Sequence, residues 1–191
     1  MSHFPVPIVV VSKCLGYAPC RWDGDIVKDD FVGRLGRHAR IVPVCPEMEI
    51  GLGVPREKIR LVGAGPDQRL VQPATGRDLT GTMQDFAAAY LAGLGEEGVD
   101  GFILKSRSPS CGITDAKIFP NGETEEAEAF GVGVFGRAVM EKFTGFAVED
   151  ETRLVDTEVR RTFLVRLFER ARIREGKGGT GPDPPFPPGL L

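Results

Sequence analysis

Histidine is scarce in this chain, and none of it stands beside a cysteine. The two histidines are His3 and His38, and the four cysteines, Cys14, Cys20, Cys45 and Cys111, contain no C-x-x-C pair. These absences argue against a zinc ribbon, a Cys/His zinc site and a thioredoxin-type redox motif. An excess of one charge sign is also missing. With 24 Lys+Arg against 27 Asp+Glu the net charge is −3, so no broad basic field draws in nucleic acid and bulk nucleic-acid binding is not expected. No apolar run approaches the roughly 20 residues needed to span a bilayer. The start, MSHFPVPIVVV, lacks the basic n-region and small-residue cleavage site of a signal peptide and reads as a first strand. A reducing cytoplasm is the expected compartment, where cysteines outside a core more often bind metal or catalyse than form disulfides. Two glycine-rich runs, GLGVP from Gly51 and GVGVFG from Gly131, lack the P-loop lysine and a complete G-x-G-x-x-G after a strand. No internal repeat is present.

What is there suits one domain with an appendage: 191 residues, 41% hydrophobic and 27% charged. Pro7–Ser12 (PIVVVS), Arg40–Val44 (RIVPV) and Gly101–Lys105 (GFILK) are unbroken apolar runs of the kind buried on both sheet faces. Gly145–Val148 is a candidate fourth strand. Lys58–Val62 and Leu70–Gln72 read as a hairpin about the turn-rich GAGPDQ. Helices are expected over Asp29–His38, Thr80–Leu94, Gly131–Phe143 and Thr157–Arg174. In the second, Phe86, Tyr90 and Leu94 recur at helical spacing. In the last, Phe163, Leu164, Leu167 and Phe168 share a side of a basic helix. The alternation predicts an α/β fold, a mainly parallel sheet flanked by helices in a Rossmann-like three-layer arrangement, with a C-terminal helix and a Pro-rich tail. The domain is expected over residues 1–148, a linker with an amphipathic helix over 149–175, and a disordered or lightly docked tail, rich in Pro and Gly, over 176–191.

Ligands of parallel sheets lie beyond the carboxyl ends of the strands. Cys14 follows the first strand by two residues, Cys45 follows the second directly, and Cys111 lies in the loop after the third. Three cysteines are therefore expected at one sheet edge, each in a turn setting (KCLG, VCPE, SCGI). Three or four convergent thiolates without histidine suit an iron–sulfur cluster. If only three bind, one iron keeps an open position. Cys20, in APCRWDG, is a fourth ligand, a neighbour of the ligands or a core residue.

The segments SKCLGYAPCRWDG, VCPEMEIGLGVPR, GRDLTGTM and KSRSPSCG resemble, in order and spacing, the DUF523 family, whose characterised members are thiouracil desulfurases. Lys13 departs from the small residue the family usually has before the first cysteine. The resemblance implies a [4Fe-4S] cluster held by Cys14, Cys45 and Cys111 alone, catalytic roles for Glu47 and Ser108, and removal of the thiocarbonyl sulfur of a small thiolated base such as 2-thiouracil. In that setting Lys105, Ser106, Arg107 and Ser110 are candidates for binding substrate or hydrogen-bonding the cluster. Simpler roles stand beside these: Glu47 and Ser108 capping turns, Arg21 pairing with Asp23, Arg56 a solvated surface base. KSRSPSCG itself precedes nothing regular in the pattern. Two other functions stay open, a structural metal module using all four cysteines and sulfur transfer on another thiolated nucleoside.

Overall fold

The computed structural model describes residues 4–63, 65–95, 98–176 and 186–191. In chain order its elements are β1 (Ile8–Ser12), α1 (Asp30–Leu35), β2 (Arg40–Val44), α2 (Pro46–Glu49), β3 (Arg60–Val62), β4 (Arg69–Gln72), β5 (Arg77–Asp78), α3 (Thr80–Leu94), β6 (Gly101–Leu104), β7 (Ala116–Phe119), β8 (Ala129–Gly131), α4 (Val134–Lys142), β9 (Ala147–Asp150) and α5 (Thr157–Arg174).

The apolar runs form a parallel sheet in the order β2-β1-β6-β9. Successive side chains of a strand point to opposite faces, and here both faces are covered. Val10, Phe102 and Leu104 join Met83, Ala87 and Leu91 of α3 and Phe135 and Val139 of α4 in one core. Val9, Val11 and Ile103 join Phe31, Val32 and Leu35 of α1 and Phe163, Leu164, Leu167 and Phe168 of α5 in the other. This is the three-layer α/β fold expected. Asp29 starts α1 by accepting from the Val32 amide at 2.8 Å, and Asp156 starts α5 by accepting from the Glu158 and Val159 amides. Among the described residues no helix is long and apolar enough to cross a membrane.

Several expectations need correction. The expected hairpin is present as β3–β4 and forms part of a second sheet, β5-β4-β3-β7-β8. Its strands β7 and β8 lie in the stretch after KSRSPSCG that showed no pattern, and strands of four and three residues are too short to display one. Because Ala129–Gly131 pairs as β8, the following helix begins at Val134 and not at Gly131. In α3 the deep stripe is Met83, Ala87 and Leu91; Phe86, Tyr90 and Leu94 are only partly buried against it. Small Ala87 lets the helix backbone approach, while the two aromatics flank the contact and pack on Phe135.

The final strand runs two residues later than expected, pairing Gly101 with Ala147 and Leu104 with Asp150. Residue 148 falls inside β9, and α5 packs Phe163, Leu164, Leu167 and Phe168 on the same side of the sheet as α1. At the far end of the tail, Phe186 and Leu190 are 2% and 1% exposed in the core under α5. The middle of the tail, 177–185, lies outside the described residues, as does His3.

Candidate active site

Every strand of the parallel sheet delivers chemistry to the same edge. Cys14 and Cys20 follow β1, Cys45 follows β2, Lys105 to Cys111 follow β6, and Glu151 follows β9. With the order β2-β1-β6-β9, the chain turns one way from β1 to reach β2 and the other way to reach β6 and β9. The crevice between β1 and β6 is therefore the topological switch point, where such sheets bind ligands.

The four thiols are free and 4–8% exposed. Cys14, Cys20 and Cys45 share one small buried cluster with Ala18 and Met48. Cys45 Sγ points at the Cys20 carbonyl at 3.7 Å. Cys111 lies within electrostatic reach of Cys14 and Cys45. Burial pushes the Cys14 thiol up to about 11, with the neighbouring Cys45 adding to it and Lys105 opposing. Burial pushes Cys20 up to about 12, again with Cys45 adding. Cys111 is raised by burial too, while a hydrogen bond with the Ser12 side chain works against the rise. Thiols gathered in such a place become thiolates only when a cationic group offsets their charge. Among the described residues no three Cys, His, Asp or Glu side chains converge to hold a single metal ion. The donors are soft thiols from three loops with no histidine among them, which fits a polynuclear iron–sulfur core better than one zinc ion.

Glu47 sits in the first turn of α2, and neither of its oxygens caps that turn. Arg56 Nε donates to Oε2 at 2.8 Å and Nη2 lies 2.7 Å from the same atom. Ser110 Oγ donates to Oε1 at 3.0 Å. The Arg56 side chain is only 4% exposed, so the reading of a solvated surface base is corrected. Its other donors reach the carbonyls of Cys20, at 3.0 Å, and Gly53, at 2.9 Å. Glu49 is exposed. Arg21 and Asp23 do pair with each other, at 3.1–3.3 Å.

The loop KSRSPSCG is held from below and behind. Lys105 Nζ contacts Glu151 Oε1 and donates to the Ser106 carbonyl at 3.1 Å and Ser106 Oγ at 2.9 Å. Ser106 gives its amide to Glu151 Oε2 at 2.8 Å and its hydroxyl to Oε1 at 2.5 Å. An ammonium has three donors and a hydroxyl one, so Lys105 and Ser106 have none left for a substrate ring. In this arrangement they brace the loop. Burial disfavours charge on Glu151, but the bonds from Lys105 and Ser106 outweigh it and hold its carboxyl below the ordinary value. Ser12 Oγ accepts from the Lys105 amide at 2.8 Å.

Ser108 Oγ accepts from the amides of Ser110 and Cys111 at 3.2 and 3.0 Å. It therefore caps the turn, and its hydroxyl hydrogen stays available to donate. Arg107 is exposed, with φ +57°, and its amide donates to Asp115 Oδ1 at 2.6 Å. A non-glycine residue in this region marks local strain of the kind found at functional loops. Behind the loop, α4 presses its first turn onto the chain: the amides of Gly133, Val134 and Gly136 donate to the carbonyls of Gly112, Pro109 and Ser110 at 2.8–3.1 Å. The GVGVFG run is thus a platform for the Cys111 loop.

Three residues at this edge were missed in the sequence: Ser12, Arg56 and Glu151. The strand-end rule that selected the cysteines also reaches Ser12 and Glu151, at the ends of β1 and β9. Nothing local marks Arg56, whose partners lie 9 and 36 positions away.

Three comparisons bear on the edge. A family model for 2-thiouracil desulfurase matches residues 9–151. Uncharacterized protein YbbK of Bacillus subtilis (strain 168) is 31% identical over 154 residues, which is 78% of this chain and 99% of that protein. The solved structure of the [4Fe-4S]-dependent thiouracil desulfidase TudS (DUF523Vcz) superposes with a TM-score of 0.61 at 29% identity, over 78% of this chain and 93% of its own. The family match runs from within β1 to the glutamate after β9, so it takes in the parallel sheet and the loops that carry all four cysteines, and the chain belongs to the 2-thiouracil desulfurase family.

Proposed function

We propose that this chain is a [4Fe-4S]-dependent desulfurase that removes the thiocarbonyl sulfur of a thiolated pyrimidine such as 2-thiouracil. What supports the reading is that Cys14, Cys45 and Cys111 come from three strand-end loops at the switch point of the sheet, Cys14 and Cys45 in one small buried cluster and Cys111 within electrostatic reach of both and of Glu47. The likeness to TudS at 29% identity supports it. Cys14, Cys45 and Cys111 are the residues to hold the cluster. A cluster with three protein ligands supplies an open iron, a soft Lewis acid that prefers a thiocarbonyl sulfur to a carbonyl oxygen.

The chain's own groups supply the rest. In net terms a C=S bond is exchanged for C=O: water adds its oxygen to the ring carbon, sulfur leaves as hydrogen sulfide, and no oxidant or reductant enters. Glu47 is the base that takes a proton from the attacking water. Arg56 and Ser110 fix one carboxylate oxygen each, which holds its direction. Ser108, with a hydroxyl hydrogen to give, donates to the ring, and exposed Arg107 covers the open side of the substrate. Lys105, Ser106 and Glu151 keep the loop rigid. Cys20 is a neighbour of the ligands, not one of them.

The test is anaerobic reconstitution with iron and sulfide, followed by absorbance spectroscopy and sulfide release from 2-thiouracil. Cys14→Ala, Cys45→Ala and Cys111→Ala are expected to lose the cluster, while Cys20→Ala keeps it and retains turnover. A metal site that needs all four cysteines and releases no sulfide would replace this reading with a structural module.

A further inference from the structure

One guanidinium touches two of the three loops that carry the cysteines and is linked to the third through Glu47. Arg56 donates to the Cys20 carbonyl in the loop after β1, at 3.0 Å. It grips Glu47 at 2.7–2.8 Å and the Gly53 carbonyl at 2.9 Å in the segment after β2. Through Glu47 it extends to Ser110, beside Cys111, in the loop after β6. The Cys20 carbonyl is shared, since Cys45 Sγ also points at it, at 3.7 Å. These three loops have no common strand or helix. A planar fork with five fixed donors can bridge them where a lysine, a point charge on a flexible stem, cannot.

We infer that Arg56 is a positioning residue that closes the three cysteine loops into one cluster-holding site and aims Glu47 into it. The inference rests on the desulfurase reading for the cluster and for the work of Glu47. Its structural half, loop closure by a single arginine, stands on the contacts alone. Retention of the cluster and placement of Glu47 are then two consequences of one side chain.

The experiment compares wild type with Arg56→Lys, Arg56→Met, Arg56→Ala and Glu47→Gln. Labelling of the buried thiols in the metal-free chain by a chromogenic disulfide reagent reads loop closure without any cluster. Release of iron from the reconstituted chain to a ferrous chelator reads retention. Partners of this kind change metal affinity by about 10- to 100-fold, so Arg56→Met should release iron at least tenfold faster and label its thiols faster. Arg56→Lys should fall between, and guanidinium ion added to Arg56→Ala should slow both rates. In loaded Arg56→Lys, kcat should fall while KM stays near wild type. Glu47→Gln should lose turnover yet release iron at close to the wild-type rate. Wild-type labelling and release rates in Arg56→Met would overturn the inference. Should Arg56→Met fail to give a folded circular-dichroism signal, Arg56→Lys decides by the same two rates. If wild type takes up no iron, the desulfurase reading falls, and thiol labelling still decides whether Arg56 closes the loops.

Discussion

A buried carboxylate is tolerable only where donors surround it, and Glu151, 7% exposed, has the Lys105 ammonium and both the amide and hydroxyl of Ser106. Removing one charge of such a pair strands the other. Glu151→Gln is expected to cost roughly 3 kcal/mol in urea unfolding at neutral pH. The pH sign follows from the depressed carboxyl. The ionised form is the one the fold favours, so its contribution is complete above the ordinary carboxyl value of 4.5 and fades as pH falls below it. Unfolding midpoints measured from pH 7 down to 3 should fall steeply in wild type and more shallowly in Glu151→Gln. Parallel curves would remove Glu151 from this role. At this scale the sequence was informative about residue types and poor on partners. Cys14, Cys45 and Cys111 stood out by their place after strands. The companions of Lys105 and Ser106 could not be seen, because Glu151 is 45 and 46 residues away in the chain.

At the scale of elements, α4 shows how a helix can be defined by what it leaves out. A Cβ on Gly136 would sit 2.6 Å from the Gly112 carbonyl oxygen and 2.8 Å from that of Cys111. One on Gly133 would lie 2.5 Å from the Ser110 oxygen. These are backbone atoms that cannot step aside, so Gly136→Ala must push α4 away from the cysteine loop. A loss of at least 1–3 kcal/mol is expected in urea unfolding, the usual range for overpacking. Gly93, in exposed open space on α3, is the control. Gly93→Ala should stabilise by about 0.5–1 kcal/mol, since nothing opposes the gain in helix propensity. Equal effects of the two substitutions in the same assay would refute the packing account. The sequence revealed the start of a helix near GVGVFG. The need for glycine there came from a loop 23–25 residues earlier in the chain.

The whole molecule joins the site to a layer that the sequence had set apart. α5 covers the face of β1 and β6 opposite α3 and α4 through Phe163, Leu164, Leu167 and Phe168, all at most 2% exposed. Gly101 in β6 has no room for a side chain because Leu167 and the Ala147 carbonyl each come within 2.8 Å of where its Cβ would stand. Phe168→Ala is therefore expected to cost 3–5 kcal/mol, as deletion of a fully buried aromatic does. It should loosen the site as well, because Val9, Val11 and Ile103, in the strands that lead to the cysteine loops, lie in that same core. Urea unfolding checks the first effect and thiol labelling the second. A surface-like change under 0.5 kcal/mol would mean that α5 is the appendage its composition suggested.

By itself the sequence determined the parallel sheet and the edge at which its cysteines gather. Those features rest on short-range rules: unbroken apolar runs become buried strands, and strand ends carry function. The four motifs identified the family for the same reason, since each is a continuous stretch. Only the tertiary structure decided that Arg56 is buried on Glu47, that Glu151 braces the Cys111 loop, that short β7 and β8 complete a second sheet, and that α5 packs on the same side of the parallel sheet as α1. Each of these depends on a partner distant in the chain, and local pattern carries no record of which distant groups will satisfy a buried charge or fill a groove.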